Sequence, residues 1–99
     1  MKVVLTATAR KQLEAIGDYI ALDNPRRARS FVQELRTCAK EIGAAPELFP
    51  LVPRYERFGI RRRTFGRYLI FYRIDGGEIA ILHILHGARD IEQILSGDD

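Results

Sequence analysis

Residues 67–86, RYLIFYRIDGGEIAILHILH, decide how this chain is read. Two runs rich in β-branched and aromatic residues flank Asp75-Gly76-Gly77, and glycine there meets the backbone angles of a tight hairpin turn. Tyr68, Leu69, Ile70, Phe71 and Tyr72 are apolar almost without alternation, which calls for cover on both faces and therefore a central strand. Upstream, FGIRRRTF (58–65) enters this strand through a turn at Gly66, so the three segments read as an antiparallel meander.

Residues 44–57 contain Pro46, Pro50 and Pro53, which exclude a helix and a central strand alike and mark a surface connection. Before it, Ala9, Leu13, Ile16 and Ile20 recur on one face of a helix that starts after Thr6 or Thr8. DNPRR stops that helix and starts another, with Asn24 as cap and Pro25 in the first turn. Ala28, Phe31, Val32, Leu35, Cys38 and Ile42 carry the second helix to Gly43, a plausible C′ residue. MKVVLT reads as a first strand, and Ile91, Ile94 and Leu95 as one or two closing helical turns. The expectation is an α+β fold in a single domain, residues 1–99. An N-terminal strand is followed by an antiparallel helical hairpin packed on a twisted antiparallel sheet, with a short C-terminal helix. Leu13, Ile16, Phe31, Leu35, Ile70 and Phe71 should fill the space between hairpin and sheet.

A chain of 99 residues supports one core, and 46% hydrophobic with 29% charged residues is the balance of a globular protein rather than a disordered one. No apolar run approaches the roughly 20 residues of a membrane span, and MKVVLTATARK lacks the apolar region of a secretory signal, so a cytoplasmic location is expected. Cys38, the only cysteine, has no internal disulfide partner and reads as a small buried hydrophobe.

The formal charge of +3 is unevenly placed. From Arg54 to Arg73 seven arginines face one acid, Glu56, a net of +6 that leaves −3 for the rest of the chain. Lysine is rare (Lys2, Lys11, Lys40), so the basic excess is built from the side chain that makes forked contacts to phosphates and carboxylates. That points to a binding surface for an anionic partner, nucleic acid or acidic protein segment.

The stretch HILHGARDI (83–91) holds the remaining chemistry. His83 and His86 are three apart on a strand, which predicts opposite faces and argues against a paired acid and base. His83 would share its face with Ile79, Ile81 and Leu85 as a hydrogen-bonded sheet histidine, while His86 stands at the strand exit, where recognition is open to it. Gly87 suits a backbone angle that other residues resist, and Asp90 with Gln93 matches a capping box. Arg89 is left for partner contact or an ion pair with a nearby acid.

Two motifs, YIALDNPRRA (19–28) and GIRRRTFGRYLIFYRI…ILHGARDI, resemble the RelE/ParE toxin superfamily, in particular its ParE-like, plasmid-stabilisation branch. The more specific is the R-x-x-x-x-x-Y-x-I-x-Y-R strand from Arg62 to Arg73, followed by LHGARD. The resemblance implies the toxin of a toxin–antitoxin pair. RelE-like members cut mRNA on the ribosome with basic residues and commonly a tyrosine or histidine–tyrosine pair near the C-terminus, whereas ParE-like members inhibit DNA gyrase. The tail IEQILSGDD offers no Tyr, His or Lys for proton transfer. The expectation is therefore a toxin that binds, with no catalytic residue, cofactor or metal site. Its partner-binding set is Arg61, Arg63, Arg67, Arg73, His86 and Arg89. The partners implied are gyrase and a small antitoxin with an acidic amphipathic C-terminal segment, in a hetero-oligomer, without sequence-specific nucleic-acid binding. Two alternatives stay open. One is a ribosome-dependent mRNA endonuclease using Arg61, Arg63, Arg67 and Arg89 on phosphate and His86 for protons. The other is an inactive homologue that still binds antitoxin.

Overall fold

Thr6 ends the first strand and begins the first helix. Strand β1 covers Lys2–Leu5 and helix α1 Ala7–Ala21; Thr6 Oγ1 accepts from the Ala9 amide at 3.1 Å, satisfying one N–H that a helix start leaves without an intrahelical partner. The same hydroxyl donates to the Ile81 carbonyl at 2.9 Å, tying this junction to a distant part of the chain. Helix α2, Pro25–Glu41, starts as the sequence predicts: the Asn24 side chain accepts from the Arg27 amide at 3.0 Å, with Pro25 in the first turn. The helices approach closely, since a Cβ on Gly17 would come 2.9 Å from Val32 Cγ2. This computed structural model describes residues 1–89 and 91–96.

Strands β2 (Arg61–Phe65), β3 (Tyr68–Asp75) and β4 (Glu78–His86) form the expected meander, with Gly66 (φ 59°) and Gly76 (φ 64°) in its two turns. Sheet order is β1-β4-β3-β2, so β3 and β4 are the inner strands. β1 pairs with β4 in parallel, which makes the sheet mixed rather than wholly antiparallel. A parallel neighbour needs a long crossover, and here the crossover is everything between β1 and the Gly76 turn. A six-residue helix α3, Ile91–Ser96, follows the sheet. The capping role expected of Asp90 lies outside the described residues.

The sheet is packed on both faces. Toward the hairpin, Ala9, Leu13 and Ile16 of α1 and Leu35, Cys38 and Ala39 of α2 bury against Ile70, Tyr72, Ile79, Ile81 and Ile84. Toward the other face, Phe71 and Leu85 pack with Val52 and Ile60, covered at the edges by Tyr55, Ile91, Ile94 and Leu95. Phe71 therefore belongs to the far core and not to the hairpin interface, because it alternates with Ile70 and Tyr72 along β3. Phe31 is half-buried at the rim, its ring tilted against Phe65 and Tyr68 with centroids 5.7 and 5.5 Å apart.

The proline-rich connection is more than a surface link. It supplies Val52 to the far core, and its Pro46 carbonyl accepts the Tyr72 hydroxyl at 2.5 Å. Gly43 is not a left-handed C′ residue: it lies in a 3₁₀ turn, Ile42–Ala44, with ordinary φ. What requires glycine there is room, because a Cβ would come 2.4 Å from the Met1 carbonyl oxygen. Gly87 likewise lacks a positive φ; its amide donates to the Arg67 carbonyl at 2.8 Å and extends the ladder past Tyr68 and His86.

One irregularity bears on the site. Phe71 pairs with His83 but Tyr72 pairs with Ile81, so Leu82 is an extra residue, a β-bulge in β4. The strict alternation predicted for 79–86 fails at that point. Leu82 and Leu85 join the far core while Ile81 and Ile84 stay on the hairpin side.

Candidate partner-binding groove

Beyond the bulge, β4 runs out beneath α1. A groove of about 540 Å³ opens there between Gln12, Ala15, Ile16 and Tyr19 of α1 and the sheet end carrying Arg67, Tyr68, Ile84, Leu85, His86 and Arg89. Ile16 and Ile84 make its floor apolar, whereas Tyr19, Arg67 and Arg89 are exposed on its rim. Arg67 and His86 meet because Tyr68 is opposite His86 in the β3–β4 ladder and the Gly87 amide holds the Arg67 carbonyl. Neither Arg67 nor Arg89 forms an ion pair among the described residues, so both guanidinia are available to an anionic partner.

His86 is held in place by two contacts. Its ring meets Tyr68 edge to face at 5.3 Å, and Tyr68 in turn packs at a tilt against Phe31 of α2. Its Nδ1 accepts the Ala88 amide at 3.1 Å. A backbone N–H can only donate, so the neutral ring carries its proton on Nε2. The nitrogen left for a partner is thus a donor, with no lone pair to take a proton.

His83 also reaches α1, although the ladder pairs it with Phe71. Its Nδ1 is 3.1 Å from Gln12 Nε2 on α1. The bulge splits the face expected for it: Ile79 and Ile81 lie in the hairpin-side core, whereas Phe71, its ladder partner, and Leu85 lie in the far one. Burial holds the His83 imidazole below its usual pKa, which favours the neutral ring.

The structure divides the five arginines and one histidine expected to bind a partner. Arg67, His86 and Arg89 come together in the groove. Arg61 and Arg63 do not: Arg61 donates to the Phe49 and Glu47 carbonyls at 2.6 and 3.3 Å, and Arg63 donates to the Cys38 carbonyl at 2.8 Å. Arg63 also pairs with Glu41 at 3.1 Å and lies over the Phe49 ring at 4.9 Å. These two guanidinia fasten β2 to the connection and to the end of α2. Arg73 sits toward the other end of β3, within 3.8 Å of Asp75. Cys38 is buried, and burial pushes its thiol pKa up against the opposing pull of Arg63, as suits an unreactive core residue.

Sequence reasoning missed Gln12, Tyr19 and Tyr68. Gln12 interrupts the apolar stripe of α1 four residues before Ile16, which marks a polar group with a partner inside. Tyr68 was hidden because the tail has no tyrosine, yet the β3–β4 ladder brings this one beside His86. Among the described residues no cluster of His, Cys, Asp or Glu could hold a metal ion, and no helix is long and apolar enough to cross a membrane.

Comparison with known proteins agrees with this architecture. No curated protein sequence matches the chain. Among solved structures, a chain of the chromosomal ParDE TA system from P. aeruginosa superposes with a TM-score of 0.73 at 28% identity, covering 87% of this chain and 95% of that one. The family described as ParE toxin of type II toxin-antitoxin system, parDE, matches residues 3–91. With nearly the whole described fold inside that match, the chain belongs to the ParE toxin family.

Proposed function

We propose that this protein is the toxin of a type II toxin–antitoxin pair that acts in the cytoplasm as one domain, by binding its target, with DNA gyrase as that target and a cognate antitoxin as its neutralising partner in a hetero-oligomer. Family membership supports the toxin role. The observation that carries the binding mode is the state of His86: with Nδ1 occupied by the Ala88 amide, the ring offers a hydrogen-bond donor and not a base. Arg67 and Arg89 then supply charge, Tyr19 and Tyr68 supply apolar contact area, and His86 directs one hydrogen bond. This combination of exposed arginine and tyrosine around an apolar floor is the composition of binding hot spots. An acidic amphipathic antitoxin segment is the complement of such a surface.

A second reading is favoured by one observation. Tyr68 and His86 lie ring to ring in a groove with Arg67 and Arg89, neither of which forms an ion pair among the described residues, the grouping that RelE-like mRNA endonucleases would use. Purified full-length protein, incubated with gyrase and relaxed plasmid and separately with translating ribosomes and mRNA, separates the two. Loss of supercoiling with intact mRNA is expected; ribosome-dependent cleavage with normal supercoiling would overturn the gyrase reading.

A further inference from the structure

The pairing of β1 with β4 stops at Leu5 and Ile81, and the residues that follow β1 take up backbone groups of β4 beyond it. Thr6 takes the carbonyls of Ile81 and Leu82, at 2.9 and 3.3 Å from its hydroxyl. Gln12 takes the Ile84 amide, which donates to Gln12 Oε1 at 2.8 Å. That bond fixes the orientation of the amide: an N–H must face oxygen, so the Gln12 NH₂ group is the one turned toward His83 Nδ1, 3.1 Å away. An NH₂ group only donates, and Nδ1 must present its lone pair.

We propose that Gln12 is a positioning residue whose amide accepts only the neutral, Nε2-protonated form of His83 and joins that ring to the bulge from which β4 continues into the groove as Ile84, Leu85 and His86. Protonating Nδ1 sets two donors against each other. Rotating the amide relieves that contact but turns NH₂ toward the Ile84 N–H, so either response loosens the seam between α1 and β4. Gln12 also lines the groove, so the lock is part of the surface it positions. Among the described residues His83 forms no ion pair. β3 sets Phe71 opposite His83, β1 ends at Leu5, and the neighbours of Gln12 on α1, Lys11 and Glu14, are exposed. The lock follows from the hydrogen bonds alone, while its bearing on toxicity rests on the toxin reading above.

Two-bond ¹H–¹⁵N correlation spectra of the full-length, histidine-labelled protein test the lock. At neutral pH His83 should show an unprotonated Nδ1 and a protonated Nε2. On acidification, its titration should coincide with shifts of the Gln12 side-chain amide and the Ile84 amide. Gln12→Glu replaces the donor by an acceptor of the same shape; the tautomer should then invert to Nδ1–H and the His83 pKa rise by about one unit or more. A wild-type His83 with Nδ1 protonated, or a titration that leaves Gln12 and Ile84 unmoved, overturns the lock without any variant having to fold. A folded Gln12→Glu protein with an unchanged tautomer does the same. In cells lacking antitoxin, Gln12→Glu and Gln12→Leu should inhibit growth less than wild type, with circular dichroism confirming the fold. Inverted tautomer with full growth inhibition would overturn the positioning role. Wild-type protein that does not inhibit growth would fail the toxin reading and leave the spectra to judge the lock.

Discussion

Arginines that look alike in the sequence should separate cleanly into two classes when removed. Arg63→Ala deletes a charged hydrogen bond to the Cys38 carbonyl, worth about 1.5–3 kcal/mol, and contact with the Phe49 ring, worth about 0.5–1 kcal/mol. Its pair with the mostly exposed Glu41 adds at most about 1 kcal/mol. These terms overlap in one side chain, so the net loss is about 2–3 kcal/mol, and for a domain of this size the melting temperature should fall by roughly 10–20 °C. Arg67→Ala and Arg89→Ala remove exposed side chains without ion pairs among the described residues, and each should stay within about 0.5 kcal/mol of wild type. If the groove binds the target, each should instead weaken binding by about 2 kcal/mol, roughly 30-fold in Kd. Thermal melts of purified variants, alongside growth of cells expressing each without antitoxin, give both readouts. The reasoning fails if Arg63→Ala melts with wild type, or if the folded Arg67→Ala, Arg89→Ala double variant is as toxic as wild type. Relief of toxicity by Arg61→Ala with Arg63→Ala, taken alone, reports folding and not contact.

Two further outcomes are expected from the cores and from His83. Leu35→Ala and Phe71→Ala empty fully buried positions on opposite faces of the sheet, and each should cost about 2–5 kcal/mol in urea or thermal unfolding. Because the two sites lie in separate clusters, their double variant should be additive within about 0.5 kcal/mol; strong coupling would contradict a two-sided core. Burial lowers the His83 pKa in the folded state, so the unfolded chain binds more protons just below about pH 6.5. Stability contributed by the neutral ring is complete above that pH and declines as pH falls from there toward the folded pKa. Melting temperatures taken between pH 8 and 5.5 should fall accordingly, and His83→Gln should flatten that fall; an unchanged slope would mean His83 is not the titrating group.

Much of the fold was legible because local physics wrote it. Thr6 and Asn24 cap their helices through their own side chains, Gly66 and Gly76 adopt the left-handed angles their turns require, and the uninterrupted apolar run at 68–72 becomes an inner strand covered on both sides. Each is decided within a few residues of chain, which is the range over which a sequence pattern acts. The parallel pairing of β1 with β4 joins segments some 75 residues apart, and no local pattern specifies it. The site was legible only as a list of residue types. A guanidinium is assigned by the carbonyl or carboxylate it reaches, and Arg63 finds its carbonyl 25 residues away in Cys38 while Arg67 and Arg89 find none among the described residues. One extra residue at Leu82 shifts the alternation of β4, and His83, paired with Phe71 in the ladder, finds Gln12 of α1, 71 residues away in sequence. Composition and motif named the chemistry of this protein; which of those groups are free to meet a partner was decided by tertiary contacts, because hydrogen-bond geometry acts across space and not along the chain.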